Sequence, residues 1–108
     1  MSLPFAEILK TLPPIAHLAA LELRDAGGSL VARIENKPGQ AGSLAVYHAL
    51  AQRHGGQITP AAAAEGLALY GEHLADAQAR PGAHPNIDRL IAWAAGSASH
   101  GATAIAAA

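Results

Sequence analysis

The stretch HLAALELRDAGGSLVARIENKPGQAGS, residues 17–43, is the part of the chain that decides its fold. Apolar and polar residues alternate on both sides of the turn sequence DAGGS, residues 25–29. Alternation with a period of two is typical of a strand with one buried face, and glycines allow the positive φ angles of a tight turn. These residues therefore predict an antiparallel β-hairpin whose first strand points Ala19, Leu21 and Leu23 inward.

Segments with helical spacing flank the hairpin on both sides. Before it, apolar residues in the range 5–12 recur at intervals of three and four, and Ser2 is placed to cap a short N-terminal helix. After it, Ser43 is predicted to cap a helix that reaches about Arg53, because serine is a favoured N-cap residue.

Two further helices and a tail complete the chain. A long helix is predicted from Thr59-Pro60, with an apolar stripe that continues to Ala77, and a shorter helix has Asn86 as its cap. The low-complexity tail, residues 96–108, contains ATAIAAA, which we interpret either as a third strand on the hairpin or as a helix. The whole sequence predicts a single α+β domain over residues 1–108: a short N-terminal helix, an antiparallel β-hairpin and three helices packed on one face.

The composition predicts a homodimer. Charged residues are 14% of the 108 residues, and only four side chains are Phe, Trp or Tyr. Many of the apolar residues are alanines, which bury little area, so the hydrophobic stabilisation per residue is small. A thin core and few surface charges suggest that a second copy of the chain covers part of the surface, and two-fold dimers are the commonest oligomers.

Charge and composition also argue against several classes of protein. The seven Lys and Arg residues are scattered and opposed by eight acids, so no basic field that attracts nucleic acid is expected. Cysteine is absent, which excludes disulfides, zinc–thiolate sites and a cysteine nucleophile. No apolar run approaches the roughly 20 residues that span a bilayer, and the start lacks the layout of a signal peptide. We therefore expect a cytoplasmic protein that contacts neither nucleic acid nor a membrane.

The loop between the hairpin and the first long helix is a candidate ligand site. Backbone N–H groups at the start of a helix attract anions, and the helix dipole adds to that attraction. Glycines allow a ligand to approach the backbone, Ser43 offers a hydroxyl and Lys37 a charge. The alternative is a structural turn that needs Pro38 and Gly39 for its shape. The candidate ligand-binding residues are Asn36, Lys37, Gly39, Gly42 and Ser43.

The sequence resembles two known families, and both resemblances include this loop. Residues 32–58, ARIENKPGQAGSLAVYHALAQRHGGQI, are similar to the strand, Pro-Gly turn and helix of ACT domains, which implies an amino-acid effector near Pro38 and Gly39. The chain as a whole resembles a family of small bacterial proteins of unknown function. That second resemblance lies in IENKPGQAGSLAVYHAL, EGLALYGEHLADA and PGAHPNIDRL. It implies a bacterial origin and supplies no activity, cofactor or catalytic residue.

A metal site is the other candidate. His73 and Asp76 are three residues apart on a predicted helix, and His84 follows in the next loop. Histidine and aspartate are ligands that zinc accepts, although a zinc site normally needs three or four of them. The alternative is a solvated helix face.

These features give three hypotheses for the function. The first is a non-enzymatic, homodimeric binding or interaction module. The second is a sensor of a small anionic or amino-acid ligand that uses the loop 36–43. The third is a weak metal-dependent enzyme that uses His73, Asp76 and His84. We predict no catalytic residue and no cofactor, because Ser43 and His48 are five residues apart on a helix and point in different directions.

Overall fold

The computed structural model of the protein describes residues 3–107. It contains five helices and four strands in this range: α1 (Phe5–Leu9), β1 (Leu18–Arg24), β2 (Leu30–Glu35), α2 (Ala41–Arg53), β3 (Gln57–Ile58), α3 (Pro60–Leu69), α4 (Glu72–Ala79), α5 (Pro85–Ala95) and β4 (His100–Ala106). The α+β prediction is confirmed. The N-cap of α1 is Pro4, and Ser2, which was expected there, lies outside the described residues.

The four strands form one antiparallel sheet in the order β2-β1-β4-β3. The hairpin of β1 and β2 is confirmed. The tail takes the strand alternative, because β4 pairs along the other edge of β1 and so gives the hairpin the third strand that a stable sheet needs. The fourth strand, β3, consists of only two residues and had not been predicted.

The inner face of β1 packs against the helices. Leu21 and Leu23 are fully buried, as predicted. The prediction for Ala19 was wrong, because the register between β1 and β4 shifts between Leu18 and Ala20, and Ala20 is the fully buried alanine. A shift of this kind changes which side chains face inward, and an alternating sequence pattern does not reveal it.

Helix α2 lies at the centre of the core. Every residue from Leu44 to Ala51 is buried, because the helix contacts the sheet on one side and α3 on the other. The helix starts three residues earlier than predicted, with Gln40 as its N-cap and Ala41 as its first residue. Ser43 is therefore the third residue of the helix, so its hydroxyl is available for contacts beyond the helix end.

The long helix predicted from Thr59-Pro60 is two helices. Thr59 caps α3 as expected, and its hydroxyl accepts a hydrogen bond from the Ala62 N–H. The chain then breaks at Gly71, whose φ of 59° and ψ of −128° are essentially restricted to glycine. The apolar stripe runs unbroken through both helices, so the spacing alone predicts one helix. The break redirects α4 towards the start of α5.

Candidate functional site

A cavity of about 340 Å³ lies where the first turns of α2 and α5 meet α1 and the start of α4. Its polar wall consists of Ser43, Tyr70, His73, His84 and Asn86. Its apolar wall is formed chiefly by Phe5, Ala83, Pro85 and Ile87. Mostly apolar cavities of this size with a few convergent polar groups are the usual form of small-molecule sites.

Helix α2 contributes a hydroxyl and two amide groups to the cavity. The Tyr70 hydroxyl donates a hydrogen bond of 2.8 Å to Ser43 Oγ. Burial raises the pKa of Tyr70 well above its usual value, so the phenol stays protonated and remains a donor. The N–H groups of Gly42 and Ser43 have no acceptor within residues 3–107, as is normal for the first turn of a helix. They are available to a ligand.

The start of α5 is held in place by Tyr47. The Tyr47 hydroxyl donates a hydrogen bond of 2.5 Å to the backbone carbonyl of Asn86. Arg89 donates to the Tyr47 hydroxyl at 3.2 Å and to the side-chain oxygen of Asn86 at 2.8 Å. Burial raises the pKa of Tyr47 to about 12, against a smaller opposing effect of Arg89. These contacts fix the first turn of α5 at the cavity wall.

The two histidines of the wall come from α4 and from the residue before α5. His84 Nε2 donates to Asp76 Oδ2 at 2.5 Å, and the centroid of its ring is 6.0 Å from that of His73. Both oxygens of the Asp76 carboxylate also accept hydrogen bonds from the Arg80 guanidinium, Oδ1 from Nε and Oδ2 from Nη2. Asp76 therefore orients His84 and does not itself line the cavity.

The proposed metal ligands are close together but are not arranged as a metal site. In the range 3–107 no group of three or more His, Asp or Glu side chains is placed to hold a metal ion. The Asp76 carboxylate instead pairs with Arg80 and His84.

Asn86, which was predicted to cap the last helix, is instead its second residue, and His84 is the N-cap.

The Asp76 contacts predict a specific pH dependence of stability. The hydrogen bonds from Arg80 and then from His84 hold the pKa of Asp76 well below its usual range. A carboxyl whose pKa is lower in the folded state stabilises the fold above its unfolded pKa, near 4, and this contribution is lost as the pH falls towards the folded pKa. Asp76→Asn should therefore reduce the loss of stability below pH 4, measured by urea unfolding from pH 7 to pH 2. Asp25→Asn, in the hairpin turn, is the comparison variant for a carboxylate with only backbone partners.

The structure divides the predicted loop residues into two groups. Gly39, Gly42 and Ser43 line the cavity. Asn36 and Lys37 do not: the Asn36 side chain donates to the carbonyls of Ile15 and Leu18, and Lys37 pairs with Glu35. The cavity thus joins part of the predicted anion loop with two of the three predicted metal ligands.

Several wall residues were not predicted as site residues. Tyr70 belongs to the apolar stripe of the long helix that the sequence predicts, and Phe5 belongs to the N-terminal helix. The Phe5 ring stacks on the Tyr70 ring at 5.4 Å between centroids and meets the His73 ring edge-on at 5.0 Å. The glycine that follows Tyr70 is the only local sequence signal for the helix break that brings these rings together.

The electrostatic character of the cavity favours anions. No Asp or Glu among residues 3–107 lines it. The nearby carboxylates are engaged with protein donors: Asp76 as described, Glu72 with the Phe5 N–H at 2.7 Å and Asp88 with the Gly82 N–H at 2.9 Å. The first turns of α2 and α5 direct the positive ends of their dipoles at the wall.

The fold and the cavity define a small α+β domain whose candidate site lies at the meeting point of two helix N-termini. The chain belongs to the family DUF2322, described as uncharacterized protein conserved in bacteria, whose model matches residues 5–104. The bacterial family predicted from the sequence is confirmed, and the similarity to ACT domains is not shown by this comparison. No curated protein and no solved structure matches the chain.

A separate finding concerns membranes. None of the helices within residues 3–107 is long and apolar enough to cross a lipid bilayer.

Proposed function

We propose that this protein is a non-enzymatic binding domain for a small anionic molecule, and that a carboxylate or phosphate group of that molecule occupies the cavity. The observation that carries the proposal is the polarity of the wall. Hydroxyl, imidazole and backbone N–H groups converge on one space, and none of the described carboxylates lines it. Such a wall offers hydrogen-bond donors to an anion without opposing its charge.

Each donor of the wall has its own role in the proposed binding of an anion. The free N–H groups of Gly42 and Ser43 lie at the positive end of α2, where anions bind readily. Tyr70 donates to Ser43, so the Ser43 proton is free to point at a ligand. His73 and His84 add positive charge when protonated.

The size and the apolar wall limit the ligand. A volume of about 340 Å³ is at the lower end of the range of small-molecule pockets. Phe5, Pro85 and Ile87 offer contacts to a short apolar portion of the ligand. The class of ligand is therefore a metabolite-sized organic acid, amino acid or phosphate monoester, and the predicted amino-acid or anion sensor is the closest of the three hypotheses.

The hydrogen bonding of Ser43 supports binding without catalysis. A serine nucleophile needs a base within hydrogen-bond distance, and among residues 3–107 the Ser43 hydroxyl is bonded only to Tyr70. His48 is buried on the same helix, 6.0 Å from the His17 ring. Burial, and secondarily His17, lowers the pKa of His48, and His48 does not line the cavity.

Thermal denaturation with a panel of probes tests the proposal. The panel contains inorganic phosphate, simple carboxylates, amino acids and the neutral amides of the same acids. We expect an anionic member to raise the melting temperature, because a ligand at 100 times its dissociation constant adds about 2.7 kcal/mol, which is several degrees for a domain of this size. The neutral amides should have little effect.

Paired histidine variants then locate the site. His73→Gln with His84→Gln should abolish the stabilisation by the anion, whereas His17→Gln, at an exposed histidine outside the cavity, should preserve it. No shift with any anion in the panel would contradict the proposal, and so would a shift that the double variant leaves unchanged.

The homodimer and the cytoplasmic location stay predictions. One observation favours association: Leu30 and Val31 are adjacent on β2, an edge strand, and are 50% and 45% exposed. The two side chains point to opposite faces of the sheet, and exposed apolar side chains on an edge strand favour contact with another chain.

A further inference from the structure

The segment from Leu3 to Thr11, which contains α1, packs on the rest of the domain only through partly buried side chains. Helix α1 has no buried residue. On one side, its Phe5 ring forms part of the cavity wall. On the other side lies a second depression of about 630 Å³, where Leu3, Pro4 and Ile8 face Leu67, Ala68 and Leu74. The segment therefore borders two depressions, and its apolar contacts with the core come from partly buried side chains, chiefly Phe5 and Leu9.

The segment packs closely against two glycines, Gly42 and Gly71. A Cβ atom on Gly42 would lie 3.1 Å and 3.3 Å from atoms of the Phe5 ring, so the ring packs directly against the backbone of α2. A Cβ on Gly71 would lie 3.4 Å from the Leu3 carbonyl oxygen and from the Phe5 nitrogen. The segment fits because both positions lack a side chain.

One polar contact fastens the segment to α4. The Phe5 N–H donates a hydrogen bond of 2.7 Å to Glu72 Oε1. This bond also holds the pKa of Glu72 below its usual value, so the carboxylate stays charged and the bond is charge-assisted. Glu72 is the first residue of α4, directly beside His73 of the cavity wall.

A pivot follows the segment. Leu12 is buried in the core, and Pro13-Pro14 comes next. Proline has a fixed φ, so these two residues restrict the direction in which the preceding chain can swing. A motion of the residues before Leu12 would therefore hinge at this point.

We propose that residues 3–11 form a lid over the cavity, which opens by breaking the bond between Phe5 and Glu72 and by lifting the Phe5 ring from Gly42. Closing places Phe5 against Tyr70 and His73, so it completes the apolar wall and excludes water from the anion-binding groups. The role of the lid in ligand exchange rests on the proposed function. The motion itself does not.

The lid can be observed without any ligand. The chain has no cysteine, so Ala6→Cys in α1 and Gln52→Cys in α2, both at exposed positions, introduce a single pair of spin labels. Electron–electron double resonance on the full chain should then show two label separations, one for the closed and one for the open arrangement.

Matched variants test which contacts keep the lid closed. Glu72→Ala should raise the ratio of open to closed molecules by about threefold or more, since it removes a charge-assisted hydrogen bond. Gly42→Ala should do the same by crowding Phe5, while the alanine favours the helix. Glu7→Ala, at an exposed acid of α1 that pairs with Lys10, should leave the ratio unchanged.

The results separate the lid from the binding site. A single narrow separation in the parent and in both lid variants would overturn the lid. An equal response to Glu7→Ala would overturn the role of Glu72. Because no anion is added, neither result depends on whether the cavity binds one, and failure of the anion panel leaves a measured opening intact.

Discussion

Gly66→Val should lower the free energy of unfolding by about 3 kcal/mol, the upper end of the usual cost of overpacking a core. Gly66 lies where α3 crosses α2 and α5. A Cβ atom there would be 2.7 Å from Cδ1 of Leu50 and equally close to Cδ1 of Leu90. Both leucines are fully buried, so neither can move without displacing other core residues. The gain in helix propensity on removing a glycine, at most about 1 kcal/mol, offsets only part of this cost.

Denaturant unfolding of the variant and of a matched control measures the effect. Ala64→Val changes an exposed position of the same helix and should cost only a few tenths of a kcal/mol. The expected difference corresponds to a melting temperature lower by more than about 10 °C for a domain of this size. Equal stabilities of the two variants would mean that the helices separate easily at Gly66, contrary to the packing described here.

Asn36→Asp should lower the free energy of unfolding by about 2–4 kcal/mol at neutral pH, since two backbone carbonyls lose their hydrogen-bond donor. The Asn36 side chain donates hydrogen bonds of 2.9 Å and 2.8 Å to the carbonyls of Ile15 and Leu18, and so ties the end of β2 to the start of β1. An aspartate places a charged acceptor against two acceptors, so both bonds are lost and the carbonyls repel the new charge. Asn36→Ala loses the bonds without adding the charge and should cost less.

The pH dependence of stability distinguishes charge repulsion at position 36 from a simple loss of packing. The folded environment disfavours the charged form, so the pKa of an aspartate at position 36 should rise above its unfolded value near 4. The deficit relative to the parent should therefore shrink as the pH falls through that raised pKa. Lys37→Ala, at the exposed neighbouring residue, should have a small effect at every pH. A deficit that is constant with pH would argue against carbonyl repulsion.

The sequence predicts those parts of the fold that depend on local spacing. Alternation around residues 25–29 indicates the hairpin, and Thr59-Pro60 marks a helix start that the structure confirms. The exact start of α2 and the break at Gly71 depend on which backbone groups find partners in the folded chain. Glycine next to an apolar stripe is compatible with either one helix or two. Strand β3 exists because β4 lies beside it, and two residues carry no pattern of their own.

The residues of the candidate site likewise divide into those that local sequence identifies and those that depend on the folded chain. Ser43 and Gly42 stand out because they lie at the predicted start of a helix, and His73 and His84 stand out because histidine is a metal ligand and both lie near Asp76 in the sequence. Their convergence on one cavity could not be predicted, since it needs the turn at Gly71 and the contact between Tyr47 and Asn86. Asn36 shows the opposite case: an asparagine in a promising loop is used to fasten two strands.

The position of β4 in the sheet has a consequence for how the chain folds. Arg24 pairs with Gly101, and Leu18 pairs with Ala106. One edge of β1 is therefore left without a partner strand until residues roughly 80 positions later dock on it. During synthesis, the hairpin of β1 and β2 emerges long before its third strand, with an apolar face and an open edge. Pairings of this sequence separation slow folding and expose intermediates to aggregation. The rate-limiting step should therefore be the docking of β4, and replacement of the small residues of β4 should alter the refolding rate more than replacement of those in the hairpin turn.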